Sequence, residues 1–278
     1  WAIDSSGNLV GSVGSTEVLA LSLTGGTIAA GGSGAVTVSA TLLDNLDNSI
    51  NPADIGISGI RVSATDIDGS SAVGTVSVSV IDDVPQAAVS GSGAVGEGDM
   101  VSGSWSMVAG ADGVADGDKV VLFGGHQYAL GTDIDTGKGS LVVNADGSWQ
   151  FTAADNLDNS QAQGLSFSVQ VTDSDGDSAT ATQTISISDG NGPQTDGEGG
   201  SVGLTVSEQG LNPDGSHSGS LTENDSGSLY FHAGSDDVTH FGFVLGSTLP
   251  VVTGLAGTPL DWAIDSSGNL VGSVGSTE

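Results

Sequence analysis

The sequence predicts an all-β chain of tandem β-sandwiches, and three observations predict it. Apolar and polar residues alternate with period two along most of the chain. Forty-six glycines break that alternation into short runs. The chain also repeats itself: the seventeen residues WAIDSSGNLVGSVGSTE at Trp1–Glu17 recur letter for letter at Trp262–Glu278. Seventeen consecutive identities do not arise by chance, and self-similarity at a fixed spacing marks a repeat architecture. The expectation is a tandem array with a period of 261 residues, of which this chain spans one period and the start of the next.

The elements follow in order. GTVSVSVID (Gly74–Asp82), LSFSVQVTD (Leu165–Asp173) and ATATQTISISD (Ala179–Asp189) alternate small or polar residues with β-branched or aromatic ones, the pattern of half-buried antiparallel strands. LFGGHQYAL turns at Gly124–Gly125, and LVVNADGSWQFTA turns between Asn144 and Gly147. Trp105, Trp149 and Trp262 fall within alternating runs, where core packing is their expected role. No segment reads as an amphipathic helix. Many short strands at regular spacing indicate sandwiches.

A weaker repeat lies inside the period. DNLDNS occurs at Asp44–Ser49 and Asp155–Ser160, and TDIDGS at Thr65 corresponds to TDSDGD at Thr172. An alternating strand follows each of the latter, ending in IDDVPQ and SDGNGPQ respectively. The expected organisation is residues 1–84 as the C-terminal half of one sandwich repeat and 85–190 as a complete one. Residues 191–278 are then the N-terminal half of the next repeat, with 262–278 duplicating 1–17.

Charge narrows the partners. Thirty-four acidic residues face Arg61, Lys119 and Lys138, for a formal net charge of −31. Nucleic acids and anionic lipid are excluded as partners, because phosphate recognition needs clustered Lys or Arg. A chain this acidic repels itself unless cations neutralise it. Cysteine is absent, so neither disulfides nor thiolate metal sites are available. No run of apolar residues is long enough to span a membrane as a helix.

The acidic turns read as metal sites. Asp66–Ile67–Asp68–Gly69 and Asp173–Ser174–Asp175–Gly176–Asp177 place carboxylates one residue apart in glycine-held turns. Oxygen ligands without nearby His or Cys select calcium over zinc or copper. Two carboxylates ~4 Å apart in such a turn otherwise repel by roughly 1–4 kcal/mol. The plainer alternative is that Asp and Gly are simply good turn formers. Strand direction adds a placement. Ser178 to Ser188 spans about 36 Å at ~3.3 Å per residue, so the Asp173–Asp177 turn lies at the pole opposite Asp189. Asp155 and Asp158 are therefore expected to meet Asp189 and Asn191, and Asp44 and Asp47 to meet Asp82 and Asp83. Each following domain then offers its DxDG turn to the same junction.

VSGSWSMVAGADGV, LVVNADGSWQFTA and VTDSDGDSATATQTISISDGNGP resemble the VCBS-type and type-I-secretion repeat domains of giant RTX adhesins. LTVSEQGLNPDGS and FHAGSDDVTHFGF resemble the longer of those repeat families. The resemblance implies immunoglobulin-like sandwiches, calcium at domain junctions, type I secretion and a place on the outer face of a Gram-negative cell. Cadherins follow a similar plan, in which a glutamate of the first strand region joins the junction acids. Glu97 and Glu208 occupy that place here.

Other motifs are set aside. GSGAVG (Gly91–Gly96) leads into Glu97 and Asp99 with no helix to follow, and GTDIDTGKG has Gly139 where a P-loop needs Ser or Thr. The four histidines lack metal-ligand spacing, and no catalytic constellation is evident. The function expected is a non-enzymatic extender of a bacterial surface adhesin, stiffened by calcium and holding an adhesive tip for attachment or biofilm formation. The alternative is a glycan- or cell-binding module of the same adhesin. Partners expected are neighbouring repeats and calcium ions, with head-to-tail completion of the split sandwich between copies.

Overall fold

The computed structural model describes residues 1–46, 54–197, 200–211, 213–246, 249, 251–253 and 257–274. The chain divides into two units, Trp1–Asp189 and Gly190–Glu278. It is all-β: the described residues include three short 3-10 turns and no α-helix.

The first unit opens with β1 (Ala2–Ile3), β2 (Leu9–Val13), β3 (Thr16–Gly25), β4 (Val36–Leu42), β5 (Ile55–Thr65) and β6 (Ser71–Val80). It continues with β7 (Gln86–Gly91), β8 (Ala94–Gly96), β9 (Met100–Val108), β10 (Lys119–Phe123) and β11 (His126–Ala129). The last five strands are β12 (Asp133–Asp135), β13 (Gly139–Val143), β14 (Ser148–Ala153), β15 (Gln163–Thr172) and β16 (Ser178–Ser188).

Strands β7–β16 form one sandwich. One sheet has the order β7-β9-β14-β13-β12, the other β8-β16-β15-β10-β11. All neighbours are antiparallel except β8, which runs parallel to the end of β16. Two such five-stranded sheets packed face to face are an immunoglobulin-like sandwich. The alternation seen in the sequence has a direct structural meaning. Phe167, Val169 and Val171 of β15 point inward and are buried. Their neighbours Ser166 and Ser168 point outward and share hydroxyl bonds of 2.8 Å with Thr184 and Thr182 across the strand pair.

Tryptophan holds the two layers. The Trp149 ring meets Phe167 edge-on at 5.3 Å, and its indole N–H donates to the Ser90 carbonyl at 2.9 Å. Trp105 donates likewise to the Asn144 carbonyl. A buried indole keeps its apolar surface in the core only if the N–H finds an acceptor. Gly103 makes the room: a β-carbon there would stand 2.1 Å from the Ser90 oxygen and 2.6 Å from the Trp149 ring. Both sequence-read turns close as hairpins. Gly124 and Gly125 have φ of 59° and 81°, the paired positive values a two-residue hairpin turn requires.

Strands β1–β4 form a four-stranded sheet in chain order, and β5 pairs with β6. Val18, Leu19 and Leu21 form a small core between them with Ile60, Val76 and Val78. DNLDNS precedes β5 as it precedes β15, so β3–β6 correspond to β13–β16. Counterparts of β7–β11 are not among residues 1–84. Among the described residues, β4 therefore pairs only with β3, and β5 and β6 only with each other. Leu23, Val36, Leu42 and Val73 are about half exposed as a result.

The second unit carries β17 (Gln194–Thr195), β18 (Phe231–His232), β19 (Asp261–Ile264) and β20 (Leu270–Ser273). The described part of the second copy, residues 262–274, folds as residues 1–13 do. Ala2 faces Val10 and Ile3 faces Leu9, as Ala263 faces Val271 and Ile264 faces Leu270. Asp4 accepts from the amides of Ser6 and Asn8, and Asp265 from those of Ser267 and Asn269.

Gly103→Ala is expected to lower unfolding free energy by at least ~1–3 kcal/mol, the usual cost of overpacking a core. Gly74→Ala, whose β-carbon meets only the Val62 oxygen at 4.0 Å, should change it little. Guanidinium melts of the two variants check the contrast.

Candidate metal centre

The site grows from one turn. Asp173 follows β15, and its amide donates to the Asp177 carbonyl at 2.9 Å. Its Oδ1 accepts from the amides of Gly176 (3.1 Å) and Asp177 (2.8 Å). Gly176 takes φ 110°, which lets the chain close so tightly. The turn thereby throws the carboxylates of Asp173, Asp175 and Asp177 together, one oxygen from each within 4.8 Å of the others.

The preceding sandwich supplies one more carboxylate, and the loop after β9 another. Asp82 follows β6, and an oxygen of Asp82, one of Asp112 and one of Asp175 also lie within 4.8 Å of one another. The loop after β9 is tied to both sides. The Ser174 hydroxyl donates to the Asp112 carbonyl at 2.6 Å, and Asn45 donates to the Asp112 carboxylate at 2.7 Å. Asp83 accepts from the Ala111 amide at 3.0 Å. A cavity of about 60 Å³ lies here, lined by Leu42, Asn45, Leu46, Val80, Asp82 and Asp112 among others.

The electrostatics are those of a site short of positive charge. Asp173 is only 4% exposed, and its Oδ2 is sequestered without a hydrogen-bond partner. Burial, then the neighbouring Asp175 carboxyl, pushes its pKa up to about 6. Asp177 is also raised, first by its contact with the Asp82 carboxyl. The only Lys or Arg ion pair among the described residues joins Lys119 to Asp116, which is not one of these carboxylates. Calcium–oxygen bonds of about 2.3–2.6 Å put any two ligands of one ion within about 5 Å of each other. The spacing of these five carboxylates and the orphaned buried oxygen fit a hard divalent cation.

A second acidic end lies at the other pole of β16. Glu97 is 4% exposed, and its amide donates to the Ser188 carbonyl. Oε1 accepts from the Leu157 amide (3.0 Å) and the Asn159 side chain (2.6 Å), while Oε2 is buried without a partner. A Glu97 oxygen lies within 4.8 Å of one from Asp189. The Asp155 carboxylate sits over Gly98, whose added β-carbon would meet it at 2.6 Å.

The remaining predicted ligands are placed differently. Asp158 is exposed and caps its own turn, accepting from Ser160. Asp44 is exposed and accepts from the Asn45 amide. Asp66 closes its turn by accepting from Asp68 and Ser70, and both Asp66 and Asp68 are exposed. Asp47 lies outside the described residues. In the second unit, the Asn191 carbonyl accepts from the Ser235 amide, and Glu208 opens an exposed 3-10 turn capped by Ser207. Asp112 was not among the sequence-read ligands. Its signal was present in VAGADGV, a lone acid between glycines without the paired spacing that marked the others.

Residues 82–188 match the family model described as a bacterial Ig domain (Big_9). No curated protein matches the chain. Several solved structures are similar at low identity. Mouse clustered PcdhgC3 EC1-3 is 13% identical over 66% of this chain and 57% of that one, with a TM-score of 0.26. A structure from work on host cell surface retention of a 1.5-MDa bacterial ice-binding adhesin is 17% identical over 62% and 52%, at 0.22. A tetra-tandem repeat in the extending region of a large adhesion protein is 15% identical over 92% and 54%, at 0.23. The chain spans a little over half the length of each of these three.

The raised pKa of Asp173 has a defined sign. The fold favours its neutral form, so the cost of holding it charged is present in full above about pH 6. That cost is relieved as pH falls from about 6 toward the ordinary carboxylate value. In chelator, the melting temperature is expected to rise between pH 7 and 5, and the rise should shrink in Asp173→Asn. Scanning calorimetry across that range checks it.

Proposed function

We propose that this chain is an extender segment of a bacterial surface adhesin, with calcium held between successive immunoglobulin-like domains. The observation that carries the reading is the meeting of Asp82, from the end of one sandwich, with Asp112 and Asp175 of the next. A cation there bonds to both domains at once and fixes the angle between them. Asp173 and Asp177 add ligands from the same turn, and Asp83 braces the approach through Ala111. The 261-residue repeat supports a role in length, since copies of one module extend reach without new contacts. Glu97, Asp155 and Asp189 stand ready to repeat the arrangement at the next junction.

The role is mechanical rather than catalytic, exercised outside the cell, where calcium is plentiful. Export through a type I system, a Gram-negative surface and a place in biofilms follow from the RTX-adhesin resemblance and belong to the same proposal. The cell interior holds little free calcium, which would leave the acidic turns repelling one another until the chain is outside.

Extracellular modules bind calcium with Kd of about 10⁻⁴–10⁻³ M, and an ion at a hundred times Kd adds about 2.7 kcal/mol per site. Calcium is therefore expected to raise the melting temperature by several degrees over chelator, and Asp82→Ala to lose a large part of the rise. Calorimetry with isothermal titration tests it. Superimposed melts with and without calcium would remove the ion from the proposal.

A further inference from the structure

We propose that Asn45 is a positioning residue of the junction, which steers the Asp112 carboxylate into the cation site only while the two sandwiches are docked. This role rests on the proposed calcium at the junction and names what couples that ion to domain contact.

Asn45 follows β4, at the second position of DNLDNS, and is exposed. Its backbone amide donates to its own neighbour, Asp44, at 3.0 Å. Its side chain goes elsewhere: Nδ2 donates to Asp112 Oδ1 at 2.7 Å, across the domain boundary. A carboxylate only accepts hydrogen bonds, so an asparagine facing one must present its NH2 group. A hydrogen bond to an ionised acceptor is shorter and stronger than one between neutral groups.

The backbone of Asp112 is set by its own sandwich and its side chain by the preceding one. The Ser174 hydroxyl donates to the Asp112 carbonyl at 2.6 Å, and the Ser174 amide to the Gly113 carbonyl at 3.2 Å. Those bonds fix the main chain and leave the carboxylate to turn. Asn45 holds it, and an Asp112 oxygen then lies within 4.8 Å of one from Asp82 and one from Asp175. A carboxylate has about four lone pairs, so one bond to Asn45 leaves acceptor capacity for an ion. The same loop seats on the linker. The Ala111 amide donates to Asp83 Oδ2 at 3.0 Å, and a β-carbon on Gly110 would stand 2.8 Å from the Asp83 carbonyl oxygen. Asn45 also lines the cavity of about 60 Å³ beside Asp82 and Asp112.

The chemistry suits the place. Asn45 orients an acid without adding charge to a cluster that already repels itself. Undocking takes Asn45 away from Asp112, and the orientation goes with it. By linkage, a domain contact that raises cation affinity is strengthened to the same degree by the cation. DNLDNS recurs at Asp155 with Asn156 in the place of Asn45, as a residue needed near the end of each sandwich should.

Calcium titration of the full chain by calorimetry tests this, with the parent, Asn45→Ala, Asp112→Ala and the double variant. Asn45→Ala is expected to weaken junction binding about fivefold or more, the low end of coupling between sites. In the Asp112→Ala background it should add nothing, as two residues acting through one contact require. Because Asn45 is exposed, Asn45→Ala is expected to melt close to the parent in chelator. Unchanged calcium binding in Asn45→Ala, or losses that add in the double variant, would overturn the positioning role. So would a markedly lower melt in chelator, which makes Asn45 a structural residue. Asp82→Ala separates this role from the calcium reading itself. Binding lost in Asp82→Ala but kept in Asn45→Ala overturns only the role of Asn45, whereas a parent chain that takes up no calcium overturns both.

Discussion

Two carboxylate triads that share Asp175, each with one oxygen per residue within 4.8 Å of the others and with no basic side chain among them, constrain everything around them. Asp82, Asp112, Asp173, Asp175 and Asp177 can escape mutual repulsion by moving apart, by taking up protons or by sharing a cation. Moving apart is blocked, because two backbone amides pin Asp173 and Ser174 ties the turn to the Asp112 loop. Protonation gives little relief at neutral pH, where the Asp173 carboxyl, though pushed up to about 6, is mostly charged. With thirty-four acids and three bases the chain holds no internal counter-charge to spare. On the proposed reading, a hard divalent cation would offset this charge and take up the orphaned Asp173 oxygen.

That constraint reaches into mechanics because of where the ligands sit in the fold. Asp173, Asp175 and Asp177 belong to the hairpin between the two longest paired strands of their sandwich, β15 and β16, so the turn cannot tilt without moving the sheet. Asp82 follows β6, and Pro85 just beyond it is buried, which leaves two residues of free chain between the domains. A link this short has few conformations to lose. An ion bridging it converts binding energy into a fixed angle rather than into the ordering of a long loop.

The sequence made some of this legible and hid the rest for physical reasons. Period-two alternation gave β15 and β16 almost to the residue, because one face of each is buried and the other hydrated. The turns at Gly124–Gly125 and Asn144–Gly147 were readable because only certain residues tolerate their backbone angles. Strand direction alone set the Asp173–Asp177 turn and Asp189 at opposite poles, and it implied that Asp82 would face the next domain's turn. Asp112 escaped notice because it reaches the cluster from a loop over sixty residues away, and nothing local marks that approach. Asp155 and Asp158 share a motif yet part company: Asp155 lies over Gly98, while Asp158 turns back to Ser160. Spacing predicts which residues are near; it does not predict which hydrogen bond each oxygen takes.

The duplicated hairpin shows where that limit falls. Residues 1–13 and their copies 262–274 adopt one register and one Asp-capped turn, because the contacts that define the hairpin lie within the segment. A sandwich is different: β8 and β16 are ninety residues apart, and their pairing is fixed only when both are present. β6 carries the alternation of β16 without the parallel neighbour that covers the end of it. Among the described residues, Thr205–Ser207 belongs to no strand. Local sequence thus specifies strand and turn throughout this chain, while the partner of each edge is specified by the repeat to which it belongs. In a tandem array a domain boundary is accordingly a matter of pairing.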